Sequence, residues 1–191
     1  MSEGGAPHKG RGAISNPDPR YARTSVAPEG DGWPGDDEAL PPLVTTVTVQ
    51  DAKSALRRNT SPDVPFNQSV NPYQGCEHGC VYCFARPTHA YLELSPGLDF
   101  ETRLFAKGNA AELLRAELAR PSYVPEPIAL GSNTDPWQPI ERELKITRKI
   151  LELLAECRHP VGIVTKSHAI VRYLDLLTDL ARTFNGSGAE V

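Results

Sequence analysis

Apolar positions are unevenly distributed along this chain. Residues 1–42 show almost no apolar periodicity and hold 7 of the 18 prolines and 7 of the 15 glycines. Such a segment cannot bury enough apolar area to offset its ordering entropy, so a disordered N-terminal tail is predicted there. Lys9, Arg11 and the acidic run Asp36-Asp37-Glu38 read as solvated charges, and Tyr21 and Trp33 as exposed aromatics or as rings docked on the domain. Residues 43–68 read as an extension before the main fold. The β-branched run Leu43 to Gln50 predicts a strand. Asp51 to Arg58 predicts a short helix capped by Asp51, and a turn-rich stretch comes next over 59–65.

From Ser69 the pattern alternates between short apolar runs and helical periods. Strands are predicted over 69–73, 102–107, 127–131 and 161–165. Between them lie a helical stretch over 81–92, tightened at Pro87, and a helix from Asn109 to Arg120. Asn109 is its N-cap, with Glu112 completing a capping-box spacing. A helix over 139–156 carries Leu144, Thr147, Ile150, Leu151 and Leu154 on one face. A last helix, capped by Ser167, buries Ile170, Tyr173, Leu174, Leu177 and Leu180. Residues 184–191, with Asn185-Gly186-Ser187-Gly188, read as a helix stop and flexible tail. About four βα units in succession over 69–183 predict an α/β fold with parallel strands and outer helices. Ligands of such folds sit at the C-terminal strand ends. The loop after residue 73, the loop 132–139 and the pair Lys166-Ser167 are therefore predicted to meet at one end of the sheet.

Composition narrows the function. A net charge of −4 and a pI near 5.7 give no general attraction to nucleic acid or anionic membrane. No apolar run of about 18 residues is present, and the N-terminus lacks a basic-then-apolar leader, so a cytoplasmic protein without a membrane span is predicted. Three of the four cysteines, Cys76, Cys80 and Cys83, are crowded into a C-x3-C-x2-C spacing, while Cys157 lies far downstream. Crowding of this kind points to metal rather than to a disulfide framework.

Three thiolates leave one metal position open, which is what a catalytic centre uses to take up a substrate or cofactor. Gly75 and Gly79 let the backbone turn closely around a cluster. Zinc is the competing metal, with His78 or His89 as a fourth ligand, although no second ligand pair is present and His78 sits between two ligands. Trp137 reads as a pocket or packing residue, Asp135 as a turn residue or ligand, and Glu141 as a first-turn helix acid. Cys157 reads as a buried small apolar residue, and His168 as structural or surface.

The cysteine motif with Tyr82 before its third cysteine resembles the radical S-adenosylmethionine (SAM) superfamily. Asn71-Pro72-Tyr73, Gly-Ser-Asn-Thr-Asp-Pro at 131–136 and Val-Thr-Lys at 164–166 resemble its branch related to spore photoproduct lyase, the DNA-repair-photolyase-like proteins, over about residues 43–183. The resemblance implies a partial (β/α) barrel of the radical SAM type. It implies a [4Fe-4S] cluster on Cys76, Cys80 and Cys83, with the amino and carboxylate groups of SAM on the open iron. Tyr82 is then placed by the adenine, Thr134 as a hydroxyl contact to SAM, and Lys166 as a cation near its carboxylate. Reductive SAM cleavage to a 5′-deoxyadenosyl radical implies an electron donor such as a flavodoxin or ferredoxin, and the family analogy extends to nucleic acid as substrate. Two features depart from that branch. Ser132 stands where its lyases carry a hydrogen-donating cysteine, so spore photoproduct repair itself is not expected. The strand–helix pattern also stops short of the family's barrel, giving the expectation of a C-terminally truncated core. A non-catalytic metal-binding interaction module and an inactive fragment are the alternatives.

Overall fold

The computed structural model of the protein describes residues 10–24 and 43–185. In chain order the strands and helices are β1 (Thr46–Gln50), β2 (Leu56–Arg58), β3 (Gln68–Val70), β4 (Tyr73–Gln74), a 3-10 helix (Arg86–Leu92), α1 (Leu98–Thr102), β5 (Arg103–Lys107) and α2 (Ala110–Leu118). Next come β6 (Ile128–Leu130), α3 (Glu141–Leu144), α4 (Ile146–Glu156), β7 (Val161–Ile163), a second 3-10 helix (His168–Tyr173) and α5 (Leu174–Asn185). The architecture is mixed α/β, and no helix among the described residues is long and apolar enough to cross a membrane. Two compact units divide the chain: Met1–Thr46 with Gly75–Leu104, and Val47–Gln74 with Phe105–Val191.

The second unit holds the larger core. Its four-stranded sheet runs β2-β3-β6-β7, with β2 antiparallel to β3 and with β3, β6 and β7 parallel. Ile128, Ala129 and Leu130 are all buried, the continuous apolar run expected of a strand covered on both faces. The amphipathic α2 and α4 supply Leu114, Ile150, Leu151 and Leu154 to the same core. A second sheet runs β1-β5-β4, where Tyr73 pairs antiparallel with Ala106 and Gln74 with Phe105.

Three of the four strands expected to be parallel are so; β5 forms but joins the other sheet. Its sequence alternates buried Leu104 and Ala106 with exposed Arg103 and half-buried Phe105 and Lys107, the signature of an antiparallel strand with one face less covered. The helix expected over 51–58 is absent. Leu56–Arg58 is a strand there, paired with Gln68–Val70, while Ser54 Oγ and the Leu56 amide donate to the Glu117 carboxylate at 2.7 and 2.8 Å. The helix expected over 139–156 is broken at Lys145, whose φ is 51°. Asn109 occupies the N-cap position of α2, but its side chain bonds the Ala52 backbone instead of capping the helix. Ser167 does cap, accepting from the Ala169 amide. Of the last helical stripe, Tyr173 and Leu180 are buried and Leu174 is exposed.

The first unit has a small core of Cys76, Ala85 and Phe100, with Cys83 packed against it. Most of the expected tail and the segment 186–191 lie outside the described residues. Over 10–24 the chain has no helix or strand, yet it is held on this unit. The Ser15 carbonyl accepts from the Leu98 amide at 3.2 Å, and Asn16 and Asp99 exchange two hydrogen bonds of 3.0 Å. The Tyr21 ring stacks on Tyr91 at 5.7 Å.

Candidate functional site

The cysteine loop belongs to the first unit and is a succession of tight turns. The Cys76 amide donates to the Phe100 carbonyl at 2.8 Å, Gly79 N to Cys76 O at 3.3 Å, Cys83 N to Cys80 O at 3.1 Å and Arg86 N to Cys83 O at 3.3 Å. Gly75 and Gly79 sit at φ of 78° and 58°, a region that side chains disfavour. None of the cysteines is in a disulfide. Cys76 is buried, Cys80 and Cys83 are half-buried, and Cys157, expected to be buried, is exposed at the end of α4. Tyr82 is 76% exposed, which removes the reading of it as a core aromatic.

Arg86, to which no sequence motif pointed, organises this loop. Its Nε donates to the Cys80 carbonyl at 2.9 Å, its Nη1 to the carbonyls of Pro96 and Gly97 at 3.1 and 3.2 Å, and its Nη2 pairs with the Glu101 carboxylate. The guanidinium also lies 5.3 Å from the Phe100 ring centre. Glu101 has a wholly buried side chain. Burial works to raise its carboxyl, but Arg86 and the amides of Gly12, Ala13 and Arg11 together hold it below the usual carboxylate range. His89, a candidate fourth zinc ligand, is buried edge-on to Phe100 and donates from Nε2 to the Arg103 carbonyl at 3.0 Å. Burial, its largest influence, pushes its pKa down. His78, the other candidate, is exposed.

The donor chemistry of this loop suits a three-thiolate centre, and its backbone is folded into successive tight turns. The side chains themselves are not gathered: among the described residues no group of three or more His, Cys, Asp or Glu is placed to hold a metal ion.

In the second unit, side chains tie together the C-terminal ends of three parallel strands. After β3, Asn71 accepts from the Asn133 amide at 2.8 Å and donates to Ser132 Oγ at 3.0 Å. After β6, buried Asp135 accepts from the Trp137 amide at 2.9 Å, the Thr165 hydroxyl at 2.8 Å and the Lys166 amide at 2.8 Å. The loops 132–139 and 165–167 therefore meet, two of the three loops expected to converge, while the cysteine loop belongs to the first unit, and Asp135 is more than a turn residue. Thr134 is buried on the first of these loops and Lys166 exposed on the second. Gly131, at φ 90°, is needed because a Cβ there would stand 2.4 Å from the Val164 carbonyl oxygen.

Glu141 lies in the first turn of α3, as expected of a first-turn helix acid, and it does more there. It is buried, and each carboxylate oxygen takes one tyrosine hydroxyl and one amide. Oε2 accepts from Tyr73 and the Thr147 amide, and Oε1 from Tyr173 and the Arg148 amide. Both amides lie in the first turn of α4, so Glu141 caps the helix that Lys145 separates from its own. Burial first, and then the Glu141 charge, push the Tyr73 phenol far above its usual value; burial and Glu141 do the same for Tyr173. Trp137 is buried edge-on to Tyr173, with ring centres 5.6 Å apart, which makes it a packing residue.

Over 179 residues the chain is 41% identical to uncharacterized proteins of Mycobacterium tuberculosis and Mycobacterium bovis, covering 85% of this chain and 52% of each relative. It is 29% identical over 107 residues to an uncharacterized protein of Methanocaldococcus jannaschii, covering 56% of this chain and 38% of that protein. The chain thus spans about half the length, 52%, of the mycobacterial relatives it matches. No family model matches it, and no solved structure gives a significant match.

Proposed function

We propose that this chain belongs to the radical SAM proteins related to spore photoproduct lyase, that its α/β units form part of a (β/α) barrel of that type, and that Cys76, Cys80 and Cys83 hold a [4Fe-4S] cluster. The observation that carries the reading is the C-x3-C-x2-C loop, whose cysteines are outside any disulfide and whose backbone turns are closed without a fourth ligand. A cluster and SAM held there would supply radical chemistry for hydrogen abstraction from a substrate, with a flavodoxin- or ferredoxin-class donor as the electron source. The chain's own contribution is to present three thiolates, to fix the loop through Arg86, and to bind SAM through Tyr82, Thr134 and Lys166, residues carried over from the resemblance. Asp135 supports that role by fixing the backbone of the loop that bears Lys166. Reduced thiols suit a cytoplasmic setting.

Anaerobic reconstitution followed by iron, sulfide and zinc analysis tests the reading. About four irons and four sulfides per chain are expected. Cys76→Ala, Cys80→Ala and Cys83→Ala each abolish the cluster, and Cys157→Ala leaves it. About one zinc and no sulfide overturns the proposal. Incubating the reduced protein with SAM yields 5′-deoxyadenosine if the chain is an enzyme. A cluster without that product identifies it as a metal-binding interaction module.

A further inference from the structure

Residues Gly10–Ala13 lie in the stretch that composition marks as a tail, yet three consecutive amides there converge on one buried carboxylate. Glu101 accepts from the Arg11 amide at 2.7 Å, the Gly12 amide at 3.1 Å and the Ala13 amide at 2.8 Å. On its other side the same carboxylate holds Arg86, whose Nε donates to the Cys80 carbonyl. The Arg11 side chain reaches three more groups: the Glu101 carbonyl at 2.6 Å, the Glu77 carboxylate at 2.7 Å and Thr45 Oγ at 2.8 Å. Glu77 comes directly after the first cysteine of the motif. Between the first two cysteines, Gly79 lies backbone to backbone with Gly12: a Cβ on Gly12 would fall 1.8 Å from the Gly79 oxygen.

We propose that Gly10–Ala13 is a positioning strap for the cysteine loop, holding the Cys76–Cys80 turn through Glu77, through the Gly79 backbone and, by way of Glu101 and Arg86, through the Cys80 carbonyl. This rests on the reading of the three cysteines as metal ligands. The strap touches no reacting atom. It fixes the backbone that aims the thiols and screens that backbone from water, so its role is retention of the metal centre. Its residues are ones that composition alone discards. Glycines permit the close approach, and an arginine and a glutamate supply charge-assisted bonds where apolar burial is lacking.

Gly12→Ala is the discriminating variant, because φ at Gly12 is not in the left-handed region and the substitution acts chiefly through the 1.8 Å approach to the Gly79 oxygen, with Val81 at 3.0 Å on the same cysteine loop. In the metal-free protein, trypsin cleavage after Arg11 is expected to quicken by about tenfold or more, the scale of one lost charge-assisted hydrogen bond. Iodoacetamide labelling of Cys80 and Cys83 rises by a similar factor relative to the exposed Cys157, while far-UV circular dichroism and the urea midpoint stay unchanged. In reconstituted protein, loss of iron to a chelator accelerates. Arg11→Ala, at an exposed side chain, moves the labelling in the same direction. Unchanged labelling in both variants, in a protein that still holds iron and sulfide, overturns the strap and leaves the iron–sulfur reading standing. Accelerated labelling and cleavage in a protein that takes up only zinc supports the strap and overturns the iron–sulfur reading.

Discussion

Removing the Tyr73 hydroxyl tests the polar centre of the second unit. Tyr73 is completely buried and donates a hydrogen bond from its hydroxyl to Glu141. Tyr73→Phe keeps the ring and deletes one hydrogen bond to a charged acceptor, a loss of about 1.5–3 kcal/mol. The carboxylate keeps Tyr173 at 2.8 Å, Thr147 N at 3.0 Å and Arg148 N at 3.1 Å, so the unit stays folded. Glu141→Gln is expected to cost more, about 2–4 kcal/mol. Whichever oxygen becomes an amide, one tyrosine hydroxyl can reverse and accept, but the backbone N–H on the same side cannot. Glu141→Ala orphans all four donors. Urea unfolding at pH 7, monitored by far-UV circular dichroism, reads these losses. With a slope of about 1–3 kcal/mol per molar urea, Tyr73→Phe shifts the midpoint down by about 1 M. In the Glu141→Ala background the same substitution should cost under about 0.5 kcal/mol, because its partner is gone. A Tyr73→Phe cost that is equal in both backgrounds refutes the network.

Two further predictions concern the same unit. Burial, with Arg57 adding repulsion, pushes the Lys107 ammonium down to about 8. Between that value and the ordinary lysine value near 10.5 the unfolded chain holds a proton that the folded one has released, so stability rises with pH across this window and is flat below it. Lys107→Met is expected to remove that slope and to stabilise the protein at pH 7 by up to about 3 kcal/mol, read from urea unfolding at pH 7 and pH 10; an unchanged slope counts against it. The buried indole N–H of Trp137 finds no partner among the described residues. Trp137→Phe therefore trades a small cavity against relief of an unsatisfied donor and is expected to change stability by less than about 1.5 kcal/mol. A loss above about 3 kcal/mol shows that the N–H is satisfied.

Elements marked by local pattern were legible in the sequence: the α2 helix, the α4 face, the buried Ile128–Leu130 strand and the cap at Ser167. What patterning missed is held by polar groups across long sequence separations. Lys145 breaks an otherwise continuous helical period because Glu141 turns back to cap α4, and nothing in the local period marks that reversal. The 51–58 stretch reads as helix by composition, yet Glu117, far along the chain, claims Ser54 and the Leu56 amide. The cysteines announced themselves by spacing. Arg86 and Glu101 did not, since each acts largely on main-chain groups of other segments. A measure of disorder based on apolar content has no means of counting three amides closing on one carboxylate.

The ties among the strand-end loops also bear on how this protein can vary. Asn71 and Asp135 grip the amides of Asn133, Trp137 and Lys166. An amide is present whatever residue occupies the position, proline excepted. Scaffold and chemistry are thereby separated: substitutions at 133 and 166 can alter what the loops present while their backbone ties to Asn71 and Asp135 persist. Replacement of Asn71 or Asp135 loosens the loops whatever those positions carry. Relatives that share these loops are expected to vary at the gripped positions and to hold the gripping residues nearly constant.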